Sequence, residues 1–306
     1  MSATPRGQRT AALAVLGSAA LFGTAGTARA LILPTAPAPG VAAARLFVGG
    51  LGLLVVAGRT AQGRTEVLAL WRRPVIWGMG LTVAAYQVFF FLAMARTGVA
   101  VGTLASLAFT PFIAGLFGWL LKEGAPGYLW AVSTVLAVIG VALLTVGAGE
   151  RADALGIVFG LCAGSSYGFY TVFGVRLARQ GAHPTSVLAA SFSIAGVLLL
   201  PVLVSSGTWW LSGPGLALVL WLGLATTTLA YVLFGIGLSV LQPGHIATIN
   251  LAEPVFATLL GTLVLGETMG TIGWIGSAIV ILSLGILGVA ERRSPTAAEA
   301  STRVAS

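Results

Sequence analysis

Charged residues and cysteines are scarce in this sequence. Of its 306 residues only 8% are charged and 57% are hydrophobic, and the mean hydropathy is +0.99. A soluble domain carries about a quarter charged residues, so this chain has too few charges to cover a water-exposed surface. The one cysteine, Cys162, excludes a disulfide framework and a cysteine metal cluster. The composition therefore excludes a water-soluble globular protein.

The residues that common enzyme signatures require are also scarce. The only lysine, Lys122, does not follow a Gly-rich phosphate-binding loop. The two histidines, His183 and His245, do not form a His-Glu-x-x-His zinc motif. The one aspartate, Asp153, is not accompanied by a serine-nucleophile elbow. We therefore predict no enzymatic activity, no cofactor and no metal site.

Apolar stretches of about 20 residues, long enough to cross roughly 30 Å of hydrocarbon as a helix, recur through the whole chain. Polar, Pro-bearing or Gly-bearing breaks separate them, and no strand-like alternation of comparable length competes. These stretches predict an all-α integral membrane protein with ten transmembrane helices, at about 11–32, 39–58, 75–95, 98–120, 127–147, 154–175, 184–205, 214–236, 243–265 and 271–290.

The basic residues, which give a formal net charge of +8, predict the orientation of these helices. They lie between apolar runs rather than on one solvated face, which argues against a nucleic-acid partner. With the N-terminus in the cytoplasm, twelve Arg and Lys residues lie in inside segments and only Arg96 and Arg151 lie in outside loops. Fifteen of the sixteen basic residues are arginine, as in GC-rich bacterial genes. We predict a multi-pass protein of a bacterial plasma membrane, with both termini cytoplasmic and lipid around it.

The chain also resembles itself after a shift of about 145 residues. The shift pairs an Ala-Tyr, an aromatic-Gly and a Pro in each half: Ala85-Tyr86 with Ala230-Tyr231, Phe22-Gly23 with Tyr167-Gly168, and, after a small adjustment, Pro111 with Pro254. The two repeats, 1–149 and 150–306, contain five predicted helices each. Because five is odd, the second copy enters the membrane from the opposite side. Inverted repeats are typical of secondary transporters, whose substrate site lies near the midplane between the halves.

The most specific motif lies near the end of the second repeat, where Leu251-Ala252-Glu253-Pro254-Val255-Phe256-Ala257-Thr258-Leu259-Leu260-Gly261 precedes Leu265-Gly266-Glu267. A weaker counterpart, Thr110-Pro111-Phe112-Ile113-Ala114 with Leu120-Leu121-Lys122-Glu123, lacks the glycine before its glutamate. These motifs resemble the EamA-type branch of the drug/metabolite transporter superfamily, over nearly the whole chain. The resemblance implies ten helices and the export or exchange of small metabolites, with amino acids as frequent cargo.

Glu253 is the most informative single residue. It lies about ten residues, or roughly 15 Å, into the span 243–265, where a carboxylate is costly unless it faces a cavity, pairs or binds a proton. It is interpreted either as a proton-coupling or substrate-amine site, or as a structural carboxyl bonded to backbone groups freed by Pro254. Asn250, on the same span, lines a cavity or bonds a neighbouring helix. His245 relays protons or makes an interfacial hydrogen bond.

Five further residues complete the candidate substrate-binding or coupling site. Arg45, about 10 Å below the outer surface, would clamp a cargo carboxylate, pair with Glu253, or merely hold its own span. Four residues with polar tips occupy mid-membrane positions, where they line an apolar-walled cavity or simply pack: Tyr86, Gln87, Tyr167 and Tyr231.

Together these observations predict a secondary active transporter that works by alternating access and exports amino acids or related small metabolites, with proton coupling as an option. The alternatives are a membrane-embedded enzyme, or a passive channel or scaffold without concentrative transport. A small-molecule substrate and membrane lipid are the predicted partners. The expected state is a monomer or a homodimer.

Overall fold

The computed structural model describes residues 5–121, 128–147, 153–240, 249 and 252–293. In this part of the chain the regular structure is helical throughout, without a strand. The helices are α1 (Pro5–Ile32), α2 (Ala38–Gly58), α3 (Ala61–Trp71), α4 (Pro74–Thr97), α5 (Val99–Leu120), α6 (Tyr128–Gly147), α7 (Ala154–Arg179), α8 (Pro184–Leu198), α9 (Leu200–Ser205), α10 (Gly213–Leu220), α11 (Ala230–Val240), α12 (Ala252–Leu263) and α13 (Thr271–Arg293).

Six of the described helices are long and apolar enough to cross a membrane: Gly7–Ile32, Ala38–Gly58, Pro74–Thr97, Val99–Leu120, Ala154–Gly174 and Gly213–Gly237. Four shorter apolar helices are Tyr128–Leu143, Pro184–Leu198, Ala252–Leu263 and Thr271–Ile286. Each of the ten predicted spans overlaps one of these helices. The predicted all-helical membrane architecture is confirmed, whereas ten complete crossings and cytoplasmic termini stay predictions.

Proline determines where several of these helices begin. Pro39, Pro74 and Pro184 occupy one of the first two positions of α2, α4 and α8, where a missing N–H costs nothing and the fixed φ suits a helix. Pro201 likewise occupies the second position of α9, where the predicted span 184–205 divides into two helices. The sequence analysis predicted a single helix there, because the apolar run continues across the break.

Two other features were not predicted. Helix α3 is a short segment between α2 and α4. Its Glu66 accepts hydrogen bonds from the His183 backbone N–H and the Ser186 hydroxyl at the start of α8, at 2.6 and 2.8 Å. The predicted span 214–236 is one continuous helix, but its middle, Trp221–Leu229, is a π-helix. Such stretches are rare within α-helices. Where they occur, they frequently lie at functional sites.

Helices α2 and α8 cross closely because a glycine on each meets the backbone of the other. A Cβ built on Gly50 would lie 2.8 Å from the Phe192 carbonyl oxygen, and one built on Gly196 would lie 2.9 Å from that of Leu46. A shift of 146 residues exchanges these two contacts. The crossing is therefore nearly symmetric between the two repeats.

A second pair of contacts shows the same exchange. A Cβ on Gly23 of α1 would lie 3.2 Å from the Glu253 carbonyl oxygen and 2.7 Å from Cβ of Phe256. A Cβ on Gly168 of α7 would lie 3.0 Å from the Thr110 carbonyl oxygen and 2.8 Å from Cβ of Ile113. Gly23 thus packs on α12 as its repeat partner Gly168 packs on α5. Small residues permit this close approach between membrane helices.

Three further glycines of α7, Gly156, Gly160 and Gly164, stand one turn apart and face α4 or α5. A Cβ built on Gly164 would overlap the Ser106 carbonyl oxygen. A larger residue at that position would collide with backbone rather than with a movable side chain. Together with Gly168 these glycines form a packing surface along α7.

Glu267 joins the two halves at one end of α5. Its two carboxylate oxygens accept hydrogen bonds from the backbone N–H groups of Val99 and Ala100, at 2.6 and 3.0 Å. These groups have no partner within the helix, and the N-terminal end of a helix favours a negative charge. Gly98 and Gly266, beside the contact, have φ of 86° and 65°, a region that favours glycine.

We expect Glu267→Gln to destabilise the protein by about 1–2 kcal/mol, because a neutral amide oxygen replaces two charge-assisted hydrogen bonds. Thermal unfolding in detergent measures the change. Asp153→Asn is the control, because Asp153 pairs with Arg96 at an exposed position, where an ion pair contributes little. Equal unfolding temperatures for wild type and Glu267→Gln would contradict the capping role.

The Arg96–Asp153 pair does not respond to pH in the physiological range. The hydrogen bond from Arg96 lowers the pKa of Asp153 from its ordinary value. A carboxylate whose pKa is lowered on folding contributes its full stabilisation of the folded protein above its unfolded pKa of about 4. That stabilisation is lost as pH falls through the folded pKa. The pair therefore stays formed at neutral and mildly acidic pH.

Candidate functional site

A band of aromatic side chains runs through the middle of the bundle. Tyr86 of α4 stacks on Tyr167 of α7 with ring centroids 5.0 Å apart, and Tyr167 stacks on Tyr170 at 6.0 Å. Phe192 of α8 connects Tyr170, at 6.4 Å, to Tyr231 of α11, at 5.0 Å. The structure thus places three of the predicted site residues, Tyr86, Tyr167 and Tyr231, in one connected cluster.

The aromatic band also follows the repeat. The sequence pairs Tyr86 with Tyr231 and Phe22 with Tyr167. Tyr86 contacts Tyr167 at 5.0 Å, and Tyr231 contacts Phe22 at the same centroid distance. Both repeats therefore supply equivalent aromatic contacts to the centre of the molecule.

Arg45 is buried beside this band and contacts the π-helix. Its Nε donates a hydrogen bond to the Thr227 hydroxyl and its Nη2 to the Thr226 carbonyl oxygen, both at 3.0 Å. Its Nη1 donates to Oε1 of Gln87 at 3.3 Å, and its Cζ lies 5.9 Å from the ring centroid of Phe91. The predicted site residue Gln87 is thus a direct partner of Arg45.

Close packing brings the π-helix to Arg45. A Cβ on Gly49, one turn after Arg45 in α2, would lie 2.6 Å from Cγ2 of Thr227 and 3.2 Å from the Gly223 carbonyl oxygen. The Thr227 hydroxyl in turn donates to the Leu222 carbonyl oxygen at 2.9 Å. Arg45 therefore contacts a part of the π-helix that packs directly against the backbone of α2.

Glu253 stands in the first turn of α12, which packs against α1, since a Cβ built on Gly23 would lie 3.2 Å from the Glu253 carbonyl oxygen. Its side chain is half-buried. Among the described residues it has no hydrogen-bond partner and no direct ion pair with Arg45. The interpretations of Glu253 as a coupling residue and as a structural carboxyl both stay predictions.

The two other predicted site residues, His245 and Asn250, lie outside the described residues. Sequence analysis missed Phe192, Thr226 and Thr227. The run Thr226-Thr227-Thr228 inside an otherwise apolar span could have indicated the threonines, whereas Phe192 carried no signal that distinguishes it from a packing residue.

An apolar cleft of about 450 Å³ lies elsewhere, between α5, α6 and α7, and none of the cluster residues lines it. Val138, on its edge, is 58% exposed. In the described residues many other large apolar side chains are exposed as well, such as Leu13 and Val55. This exposure suits contact with lipid tails, so the cleft belongs to the lipid-facing surface.

We expect Tyr86→Ala and Tyr231→Ala each to weaken cargo binding about fivefold or more, since an aromatic contact contributes roughly 1 kcal/mol. Trp77→Ala is the matched control, because this tryptophan is 51% exposed and lies outside the aromatic band. Concentration dependence of transport at matched expression provides the measurement. If all three variants weaken binding equally, the tyrosines have no special role.

Comparison with known proteins identifies the class. The model of the EamA-like transporter family matches residues 154–289, which is most of the second repeat. The uncharacterized transporter YwfM of Bacillus subtilis is 33% identical over 287 residues, which cover 93% of this chain and 96% of that protein. The threonine/homoserine exporter RhtA of Escherichia coli K12 is 28% identical over 280 residues, covering 89% and 88%.

A solved crystal structure matches with a TM-score of 0.64 at 20% identity, covering 94% of this chain and 98% of the other. That likeness concerns the fold alone. The chain belongs to the EamA-like transporter family, within the drug/metabolite transporter superfamily. It is a multi-pass protein of a bacterial plasma membrane, and the two relatives described above are named as a transporter and an exporter.

Proposed function

We propose that this protein is a secondary active transporter that exports amino acids or related small metabolites by alternating access, with Glu253 as the proton-coupling residue. The observation that carries the proposal is the central cluster, in which α1, α2 and α4 of the first repeat meet α7, α8, α11 and α12 of the second. A site between two repeats can open to either side when the repeats rock against each other. The relative named as a threonine/homoserine exporter supports the choice of cargo.

We also propose that the repeats, 1–149 and 150–306, have inverted topology with ten crossings and cytoplasmic termini. Three pairs of equivalent contacts support it: Gly50 with Gly196, Gly23 with Gly168, and the ring pairs of Tyr86 and Tyr231. Unrelated halves would have no reason to repeat their contacts at sequence shifts that all lie between 143 and 146 residues.

Reporter fusions after residue 150 and at the C-terminus test this topology. We expect the two reporters to lie on opposite sides of the membrane, with the C-terminal one in the cytoplasm, because five crossings separate them. Alkaline phosphatase and green fluorescent protein fusions, active on opposite sides, provide the measurement. Fusions that report one common side would contradict the inverted repeat.

Transport itself is tested with purified protein in sealed proteoliposomes. We expect an imposed pH gradient to drive a radiolabelled amino acid, threonine or homoserine first, above its equilibrium concentration. Flux that stops at equal concentrations indicates the alternative of a passive channel, and no flux with any member of an amino-acid panel indicates a scaffold. Either result contradicts the proposal.

A further inference from the structure

The central site contains a buried positive charge that the described residues do not neutralise. Arg45 is 5% exposed and is the only charged residue buried among the described residues. In that part of the chain the one ion pair joins Arg96 to Asp153, so Glu253 does not pair with Arg45. Charged groups inside a protein or a membrane are costly unless an opposite charge or hydrogen bonds compensate them. The Arg45 guanidinium therefore lacks a counter-charge among these residues.

All three hydrogen-bond acceptors of Arg45 in the described part of the chain are uncharged. Its Nε donates to the Thr227 hydroxyl and its Nη2 to the Thr226 carbonyl oxygen, while Nη1 donates to Oε1 of Gln87. The Phe91 ring, whose centroid lies 5.9 Å from Cζ, attracts the cation through its π face but carries no negative charge. These contacts hold the guanidinium in place without neutralising it.

Two N–H groups of Arg45 remain for a further acceptor. An arginine side chain has five N–H donors, and these contacts use three of them. Because Nη1 and Nη2 carry two N–H groups each and donate once each, one group on each nitrogen has no acceptor among the described residues. A carboxylate binds arginine most strongly through two N–H groups. It also supplies the negative charge that the three protein acceptors lack.

The position of Arg45 also suits a group that binds cargo. Its acceptors belong to α4 of the first repeat and to the π-helix of the second, so the guanidinium stands between the repeats, where secondary transporters bind their substrates. Gln87 directly follows Tyr86 of the aromatic band. A ligand held by Arg45 would therefore be in contact with the region where both repeats meet.

We propose that Arg45 is the carboxylate-binding group of the central site, and that it holds the cargo through one N–H group of Nη1 and one of Nη2. The carboxylate of the cargo supplies the missing counter-charge. The substrate class is then small carboxylates, of which amino acids are one kind, and it excludes amines without a carboxylate. This inference rests on the proposed function, because it assigns the ligand of the same central site.

Threonine and threoninol, in which an alcohol replaces the carboxylate, test the proposal. Binding to the purified full-length protein is measured by ligand-induced thermal stabilisation over a concentration series. We expect threonine to bind wild type at least about tenfold more tightly than threoninol, because only threonine can accept charge-assisted hydrogen bonds from Arg45.

A substitution of Gln87 separates carboxylate binding from a merely structural role of Arg45. Gln87→Glu places a carboxylate at the Nη1 contact, where it neutralises Arg45 and competes with that of the cargo. We expect it to abolish the preference for threonine over threoninol, whereas a damaged fold would weaken both compounds alike. The matched control is Gln180→Glu, because Gln180 accepts a hydrogen bond from Nη1 of Arg73 at 3.2 Å at an exposed position. This control should keep the wild-type preference.

Two results overturn the inference while leaving the proposed function intact. Threoninol that binds wild type within tenfold of threonine would show that the carboxylate is not recognised, and this comparison stands even if Gln87→Glu does not fold. A folded Gln87→Glu that keeps the wild-type preference would show that Arg45 is not the group that recognises it. If neither compound binds, the inference is also overturned, and the proteoliposome assay with the amino-acid panel decides the proposed function separately.

Discussion

Proteoliposomes that contain Glu253→Gln are expected to lose all accumulation of cargo driven by a pH gradient. Glutamine has nearly the shape of glutamate but cannot bind and release a proton. A gradient of one pH unit supplies about 1.4 kcal/mol per proton, which supports a roughly tenfold concentration ratio. In the variant this ratio should fall to one, while cargo at saturating concentration still moves down its own gradient.

Among the described residues Glu253 has no hydrogen-bond partner, and residues 250 and 251 beside it lie outside that part of the chain. The alternative interpretation is a structural carboxyl that ties down the backbone near Pro254. If that interpretation were correct, Glu253→Gln would keep pH-driven accumulation and Glu253→Ala would chiefly lower the unfolding temperature. Wild-type transport that is indifferent to pH would contradict the coupling role whatever the variants do.

Substitution of the two repeat-related glycines, Gly23→Ala and Gly168→Ala, is expected to impair the protein strongly and to a similar degree. A methyl group at either position would lie less than 3.0 Å from a Cβ of the facing helix, and 3.0 to 3.2 Å from its backbone. Overpacking of this kind costs typically 1–3 kcal/mol. Gly23→Ala would push α1 from α12, and Gly168→Ala would push α7 from α5. Both changes would disturb surfaces that move against each other in the proposed alternating-access mechanism.

Unfolding temperature and initial transport rate measure the effect. Gly78→Ala is the matched control, because a Cβ there has no neighbour within 4 Å and alanine favours a helix by about 1 kcal/mol over glycine. We expect the control to be at least as stable as wild type. A large effect of Gly23→Ala with none of Gly168→Ala would contradict the equivalence of the two contacts.

The asymmetry between the repeats is concentrated around Arg45. A shift of 145 residues places Val232 opposite Gln87 and the uninterrupted α4 opposite the π-helix Trp221–Leu229. The shift of 146 residues that relates α2 to α8 places Ser191 opposite Arg45. The shift of 143 residues that pairs Pro111 with Pro254 places Thr110, a neutral residue, opposite Glu253. The aromatic band and the glycine contacts are shared by both repeats. The charged residues Arg45 and Glu253, in contrast, each occur in one repeat only.

Several sequence predictions were accurate for a simple physical reason. In lipid a spanning segment must satisfy its own backbone hydrogen bonds as a helix and present apolar side chains. The ten apolar stretches and the proline-marked helix starts are therefore visible in the order of residues alone. Helix α3, the break before Pro201 and the π-helix were not predicted, because local hydropathy is nearly the same for an intact helix, a broken one and a π-helix.

The sequence by itself determined the membrane class and the family, because these depend on composition and on patterns along the chain, and it predicts the pairing of the two halves. Only the tertiary structure shows which groups Arg45 contacts. The sequence left it equally suited to a cargo carboxylate, to Glu253 or to its own span, whereas the fold brings it to Thr226 and Thr227, 181 and 182 residues away. The residues of one span alone cannot specify these contacts of Arg45. The contacts depend on which helix packs against α2 and on the carbonyl groups that the π-helix directs toward Arg45.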